Sequence, residues 1–239
     1  DRPDLGDSIA GVLGSRWPAF RLAGIPGHGV DLDALVRAVP DHQVLLLDAA
    51  DNVLGVGLSV PVDWDQTVDG LPAGWDGAVR AGAELLDRGG HADAVCGLSV
   101  TMTPDAAGRG LATHLVGALR AAAAQAGAVA LLAPVRPLLK ARYPLTSMGR
   151  YLSWRTADGE AFDPWLRLHL RLGGLQVGIA APSISVTGSI ADWQDWVDMP
   201  LPGRGEYIIA EGLVPLVVDQ NAGTATYREP NVWVVHRAA

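Results

Sequence analysis

The sequence predicts an α/β fold, a mixed central sheet flanked by helices, and two observations carry that prediction. Residues 93–134 read as strand, glycine-bearing turn, helix and strand, the pattern of a βαβ unit. Upstream of it, the apolar runs Gln43-Val-Leu-Leu-Leu-Asp48 and Val53-Leu-Gly-Val-Gly-Leu-Ser-Val60 are joined by Ala49-Ala-Asp-Asn52, a hairpin signal. At 239 residues and 49% hydrophobic content, the chain can bury a substantial core. No internal repeat or low-complexity linker divides it, so one domain over 1–239 is expected, with a core near 42–145 and an extended C-terminal portion near 146–239.

From the N-terminus, Asp7–Leu13 reads as a short helix with Asp7 or Ser8 as its N-cap, stopped at Trp17-Pro18. Asp31–Val39 is a second short helix ended by Pro40. The hairpin follows, and Pro61-Val-Asp-Trp64 leaves the sheet. About 30 residues then separate the hairpin from the next strand. They contain a helix over Trp75–Leu86, expected to cover one end of the sheet. Ala94–Thr103 is the next strand, Leu111–Ala126 an Ala/Leu-rich helix closed by Gly127, and Ala128–Ala133 a buried strand. Beyond it lie five basic residues, Arg136, Lys140, Arg142, Arg150 and Arg155, with no acid between the first and the last. They read either as a solvated helix face or as contacts to an anionic partner. Phe162-Asp-Pro-Trp starts a helix with Asp163 as N-cap and Pro164 at its first position. Strands are expected at 175–188, 206–210, 213–218 and 224–235, with a short helix at 191–196.

The turn Pro104-Asp-Ala-Ala-Gly-Arg-Gly110 has the richest chemistry. A helix starting straight after it presents unpaired backbone N–H groups and the positive end of its dipole, a ready site for phosphate. The glycines let a ligand approach the backbone closely. A P-loop needs Lys-Ser/Thr after the last glycine, but Leu111 and Ala112 follow. A dinucleotide fingerprint needs a third glycine where Thr113 stands, and an acid about 20 residues on, which 128–134 lacks. The remaining reading is the pyrophosphate of coenzyme A.

Val100-Thr-Met-Thr-Pro-Asp-Ala-Ala-Gly-Arg-Gly-Leu-Ala-Thr-His-Leu-Val116 resembles motif A of the GCN5-related N-acetyltransferase (GNAT) superfamily, Gln/Arg-x-x-Gly-x-Gly/Ala after a strand. Gly110 and Ala112 match, and Ala107 departs from the first position. The predicted order of elements is also that of the GNAT fold. In the C-terminal half, Tyr143-Pro-Leu, Phe162-Asp-Pro-Trp, Val186-Thr-Gly, Trp193-x-x-Trp196, Leu213-Val-Pro and Glu229-Pro-Asn-Val-Trp233 resemble an extended GNAT-like group. The same stretches resemble, more weakly, the GNAT-like loading domains of polyketide synthases.

The resemblance implies acetyl-CoA or another acyl-CoA as co-substrate, and a small-molecule amine or an acyl carrier protein as acceptor. It places the pantetheine and thioester along Ser99, Val100, Thr101 and Met102, and the pyrophosphate on Ala107, Gly108, Arg109, Gly110, Leu111 and Ala112. Tyr143 falls near the position of the tyrosine that protonates the departing thiolate. Malonyl-type decarboxylation is the second activity the resemblance implies, with Thr187 and Trp64 at matching positions. The histidine that group uses is absent, since Val217 stands there and His169 and His236 have no match. A non-catalytic acyl-CoA-binding protein is the third possibility, opened by the departure at Ala107.

Composition narrows the partners. A formal charge of −8 argues against nucleic acid or an anionic membrane. The one cysteine, Cys96, rules out an internal disulfide and falls in a predicted buried strand, where it reads as a core hydrophobe. No residues have metal-ligand spacing. With no signal-like or spanning segment, a cytoplasmic protein is expected. Asp63 and Asp93 are the carboxylates nearest the presumed site, and both read as turn or capping residues.

Overall fold

The computed structural model describes residues 5–14, 17–24 and 29–237. Eight strands form one mixed sheet: β1 (Val44–Leu47), β2 (Val53–Val62), β3 (Ala94–Met102), β4 (Ala130–Val135), β5 (Leu175–Ser189), β6 (Gly205–Tyr207), β7 (Leu216–Asp219) and β8 (Thr224–Arg237). The main path runs β1-β2-β3-β4-β8-β7-β6, and β5 lies on the other edge of β8. Among the described residues only β3 and β4 pair in parallel, through the crossover helix α5 (Ala112–Gln125). Residues from the expected core and from the extended C-terminal portion thus meet in the same sheet, where β4 pairs with β8.

The other helices are α1 (Gly6–Gly14), α2 (Ala19–Gly24), α3 (Leu32–Ala38), α4 (Gly74–Asp87), α6 (Met148–Leu152), α7 (Pro164–Arg171) and α8 (Ile190–Val197). Alternation along the strands sends residues to two separate cores. Val95, Leu131, Leu119 and Ala123 pack together on the face that α5 covers. Cys96, Leu98, Leu132, Trp75 and Val79 pack on the opposite face, beneath α4.

Several expectations change. Helix α1 begins at Gly6, so Asp7 and Ser8 are its first turn rather than its cap. Pro18 does not only end a helix. It flanks α2, which the sequence reading missed, because proline is tolerated where a helix starts. The insert after Trp64 covers a face of the sheet, since α4 packs on β2, β3, β5 and β8. Close approach explains its start: a Cβ on Gly74, at φ +70°, would stand 2.2 Å from Ser183 Cα. Strand β6 ends at Tyr207 and β7 begins only at Leu216, so both expected strands shift.

The basic run does not act as one surface. Lys140 is fully buried, its ammonium donating to the carbonyls of Tyr143 and Leu213 at 2.9 and 2.6 Å. Arg136 is ion-paired with buried Glu229, and Arg142, Arg150 and Arg155 are exposed.

Candidate functional site

The parallel pairing of β3 and β4 stops early. It covers only Val95↔Leu131 and Cys96↔Leu132, although β3 continues to Met102 and β4 to Val135. Past Cys96 the two strands diverge, so the backbone groups of β3 that point toward β4 have no strand partner. A cavity of about 710 Å³ occupies the gap. Gly97 to Met102 form one wall and Ala133 to Arg136 another. Leu119, Leu131, Trp165 and His169 line the α5 side of the sheet, while Trp17, Arg21, Trp75 and Asn231 line the other. The cavity therefore passes through the sheet and can bring two ligands together from opposite faces.

At the α5 side the cavity reaches the glycine turn, with Ala107, Gly108 and Ala112 in its lining. Gly108 and Gly110 both have φ +75°, a conformation that favours glycine. Leu111 occupies the N-cap of α5 and supplies no side-chain hydrogen bond, so no side chain of that cap competes for the helix's first N–H groups. Turn and helix together present the kind of backbone donors and dipole end that suit an anion, at the cavity mouth.

On the opposite face a buried polar network stands behind the cavity wall, to which it contributes Trp75, Arg136 and Asn231. Strand β8 pairs with β7 over 224–226 and with β4 over 232–237. The stretch between, Glu229-Pro-Asn231, has no strand partner on that edge, and Pro230 has no N–H to offer one. Ser183, in the irregular stretch of β5 opposite, accepts from Trp75 N at 2.9 Å and donates to Asn231 Oδ1 at 2.7 Å. Asn231 Nδ2 donates to Glu229 Oε1 at 3.1 Å, and Tyr227 Oη donates to Oε2 at 2.8 Å. Arg136 Nε lies 3.0 Å from both carboxylate oxygens, and its Nη2 donates to the Glu211 carbonyl. Burial works against the Glu229 charge, but Arg136 and Arg21 more than offset it and hold its pKa below the ordinary value.

The histidines without a sequence match form a buried pair. His169 Nδ1 and His236 Nε2 are 2.9 Å apart, and His169 lines the cavity. Burial is the main cause that lowers both pKa values, to about 3 for His169 and about 4 for His236, so both rings are neutral near pH 7. His236 Nδ1 is buried without a partner, a position less costly for a bare ring nitrogen than for an N–H. That assigns the shared proton to His236 Nε2 and leaves Nε2–H on His169. Both folded pKa values lie below the unfolded one, so the unfolded chain takes up protons that the native state refuses. The stabilisation is complete above about pH 6.5 and is lost as pH falls toward 3. Thermal denaturation should show a steep fall in Tm between about pH 6.5 and 4. The double replacement His169→Leu/His236→Leu should flatten that slope, and an unchanged slope would contradict the assignment.

The sequence-predicted residues divide accordingly. Ser99, Val100, Thr101, Met102, Ala107, Gly108 and Ala112 line the cavity, whereas Arg109, Gly110 and Leu111 stand just outside its lining. Tyr143, Thr187 and Trp64 do not line it. Tyr143 follows the 3-10 turn Lys140–Arg142 and packs in an aromatic cluster, 4.8 Å from the Trp154 ring centroid. Thr187 sits at the far end of β5, its hydroxyl 3.0 Å from that of Thr226. Trp64 is buried and donates to the Thr67 carbonyl. Asp63 is an exposed partner of Arg88, and burial raises the Cys96 thiol pKa, as expected of a core residue. Sequence reading passed over Arg21 and Ser183, took Arg136 as one of five basic residues facing solvent or an anionic partner, and met Asn231 only within the stretch 229–233. A charged residue within the apolar run 224–235 was the available signal, because a buried Glu229 requires a cation.

Among the described residues, no helix is long and apolar enough to cross a membrane. The chain matches no family model. It is 34% identical to the arginine N-acetyltransferase avaD of Aspergillus versicolor, over 98% of this chain and 91% of that protein. Among solved structures it is similar to the GphF GNAT-like decarboxylase in complex with isobutyryl-CoA. The TM-score is 0.59 at 17% identity, covering 100% of this chain and 97% of that one. The loading GNATL domain of CurA from Lyngbya majuscula gives a TM-score of 0.54 at 17% identity, over 87% and 84%. At that identity the two structures share the fold, a GNAT-like mixed sheet flanked by helices. Together with near full-length similarity to an N-acetyltransferase, this shows that the chain belongs to the GCN5-related N-acetyltransferase superfamily of acyl-CoA-dependent acyltransferases.

Proposed function

We propose that this protein, acting as one unit over 1–239, transfers an acetyl or other short acyl group from coenzyme A to the amine of a small acceptor. The observation that carries this reading is the cavity through the splayed β3–β4 pair. An acyl-CoA entering on the α5 side would lay its pyrophosphate on the turn 107–112 and its pantetheine along Ser99–Met102, taking the place of the missing strand partner. A backbone N–H of β3 would then polarise the thioester carbonyl, a donor aimed where negative charge develops. The acceptor would enter from the face lined by Trp17, Arg21 and Trp75, so that thioester and amine meet where the strands part. Tyr143, Thr187 and Trp64 receive no role, because none reaches the cavity.

The relative named for arginine makes L-arginine the first acceptor to test. The protein is mixed with acetyl-CoA and a panel of free amines and amino acids that includes it, with free thiol and acylated product followed together. Thiol release that depends on an acceptor, matched by N-acylated product, is the expected result. Acetyl-CoA formed from malonyl-CoA without an acceptor would replace the reading with decarboxylation. Binding of acetyl-CoA with no turnover across the panel would make the protein a non-catalytic acyl-CoA binder.

A further inference from the structure

The proposed acceptor chamber contains a cation that the other described residues leave unmatched. Helix α2 carries Arg21 to the chamber wall, where its guanidinium lies 4.8 Å from the Trp17 ring centroid and 6.0 Å from that of Trp75. Stacking of this kind fixes the plane of the guanidinium and dries its faces, while its N–H edges stay free to donate. Among the described residues, that guanidinium has no hydrogen-bond or ion-pair partner. Burial lowers its pKa, partly offset by the field of Glu229.

Arg136, close by, shows what a satisfied arginine looks like in this wall. It holds the Glu229 carboxylate through Nε and the Glu211 carbonyl through Nη2. Glu229 has no capacity left for a second cation in direct contact, since Arg136, Tyr227 and Asn231 occupy its oxygens. Asp76 Oδ2 accepts from Ser185 N at 2.8 Å, and the Asp76 charge adds to that of Glu229 in raising the Arg21 pKa. The acceptor side of the cavity therefore presents a fixed, dried, unpaired fork of N–H donors. A planar anion matches that fork with two parallel hydrogen bonds.

We propose that Arg21 binds a carboxylate in this chamber, and that the carboxylate belongs to the acceptor, which is then an amine of the amino-acid type. The proposal rests on the transfer reading above and adds the substrate class. One further source could supply the same chemistry, an acyl group that itself carries a carboxylate, as in malonyl-CoA. The experiment separates the two.

Each amino acid of the acceptor panel, L-arginine first, is compared with its own amide, which keeps the amine and side chain but removes the negative charge. With saturating acetyl-CoA, the wild-type protein should prefer the acid over the amide by about 10–100-fold in kcat/KM, the range of a charge-assisted pair. Arg21→Gln should reduce that preference to within about threefold, chiefly through a higher KM for the acid. Arg21→Lys should retain part of it, and calorimetric affinity for CoA should be unchanged in both variants. Equal use of acid and amide by the wild type would overturn the proposal, as would an Arg21→Gln variant that still discriminates. Should Arg21→Gln weaken malonyl-CoA binding but not acetyl-CoA binding, with acid and amide still distinguished, the carboxylate belongs to the acyl group and the proposal is again wrong. If no amine is acylated at all, the transfer reading fails separately. Calorimetric binding of L-arginine and of its amide to the CoA complex then decides the role of Arg21.

Discussion

Glu229→Ala should destabilise the protein by about 3–5 kcal/mol, the cost of removing one partner from a buried ion pair. Glu229 is fully buried, Arg136 is 22% exposed, and the alanine variant would leave the Arg136 charge behind without its counter-ion. Tyr227 and Asn231 would each lose an acceptor in the same step, adding buried donors without partners. Urea denaturation followed by tryptophan fluorescence checks this through the shift in midpoint at constant slope. Glu229→Gln, which keeps an acceptor oxygen but not the charge, should lose less. The combined Arg136→Met/Glu229→Leu replacement should recover much of the loss, since no charge is then stranded. The exposed pair Arg88–Asp63 provides the contrast. Its side chains are 51% and 62% exposed, so Asp63→Ala should cost no more than about 1 kcal/mol despite the 2.8 Å separation. Equal effects at Glu229 and Asp63 would mean that the network is a surface feature rather than part of the chamber wall.

That network marks the limit of what sequence could reveal. Periodicity, β-branched runs and glycine or proline punctuation located the hairpin, the crossover unit and β8, because those signals are local. The turn before α5 was legible for the same reason: its two glycines and the helix behind them are contiguous. The polar wall on the opposite face of the cavity is not local. Trp75 and Ser183 meet across 108 positions, and Arg136 and Glu229 across 93, through a gap between two pairings of one long strand. Nothing in either segment announces the other. Family resemblance suggested Tyr143 and Thr187, but a 3-10 turn carries the first into an aromatic cluster and the bulged length of β5 carries the second beyond the cavity. Proline also misled, since Pro18 read as a stop and the sequence therefore gave no reason to look at Arg21.

The turn at 104–110 yields the second large effect. Gly108→Val and Gly110→Val should each lower affinity for CoA by about 10–100-fold, because the ligand loses backbone N–H contacts of the charge-assisted kind. Both glycines have φ +75°, where a β-branched residue is strained by roughly 1–2 kcal/mol. An added Cβ at either position meets no protein atom within 4 Å, so the protein itself does not resist it sterically. Two costs are then mixed, a general one from the backbone and a specific one from the anion site. Gly127 separates them. It ends the same helix α5, has φ +79° and is equally unobstructed, yet lies at the opposite end from the presumed pyrophosphate. Gly127→Val should lose comparable stability with CoA affinity unchanged. The donor gives a second separation: acetyl-pantetheine lacks the pyrophosphate, so the Gly108 and Gly110 variants should use it as well as the wild type does. Loss of acetyl-pantetheine activity in step with acetyl-CoA activity, or a Gly127→Val variant equally poor in CoA binding, would show that the turn acts through stability and not by holding phosphate.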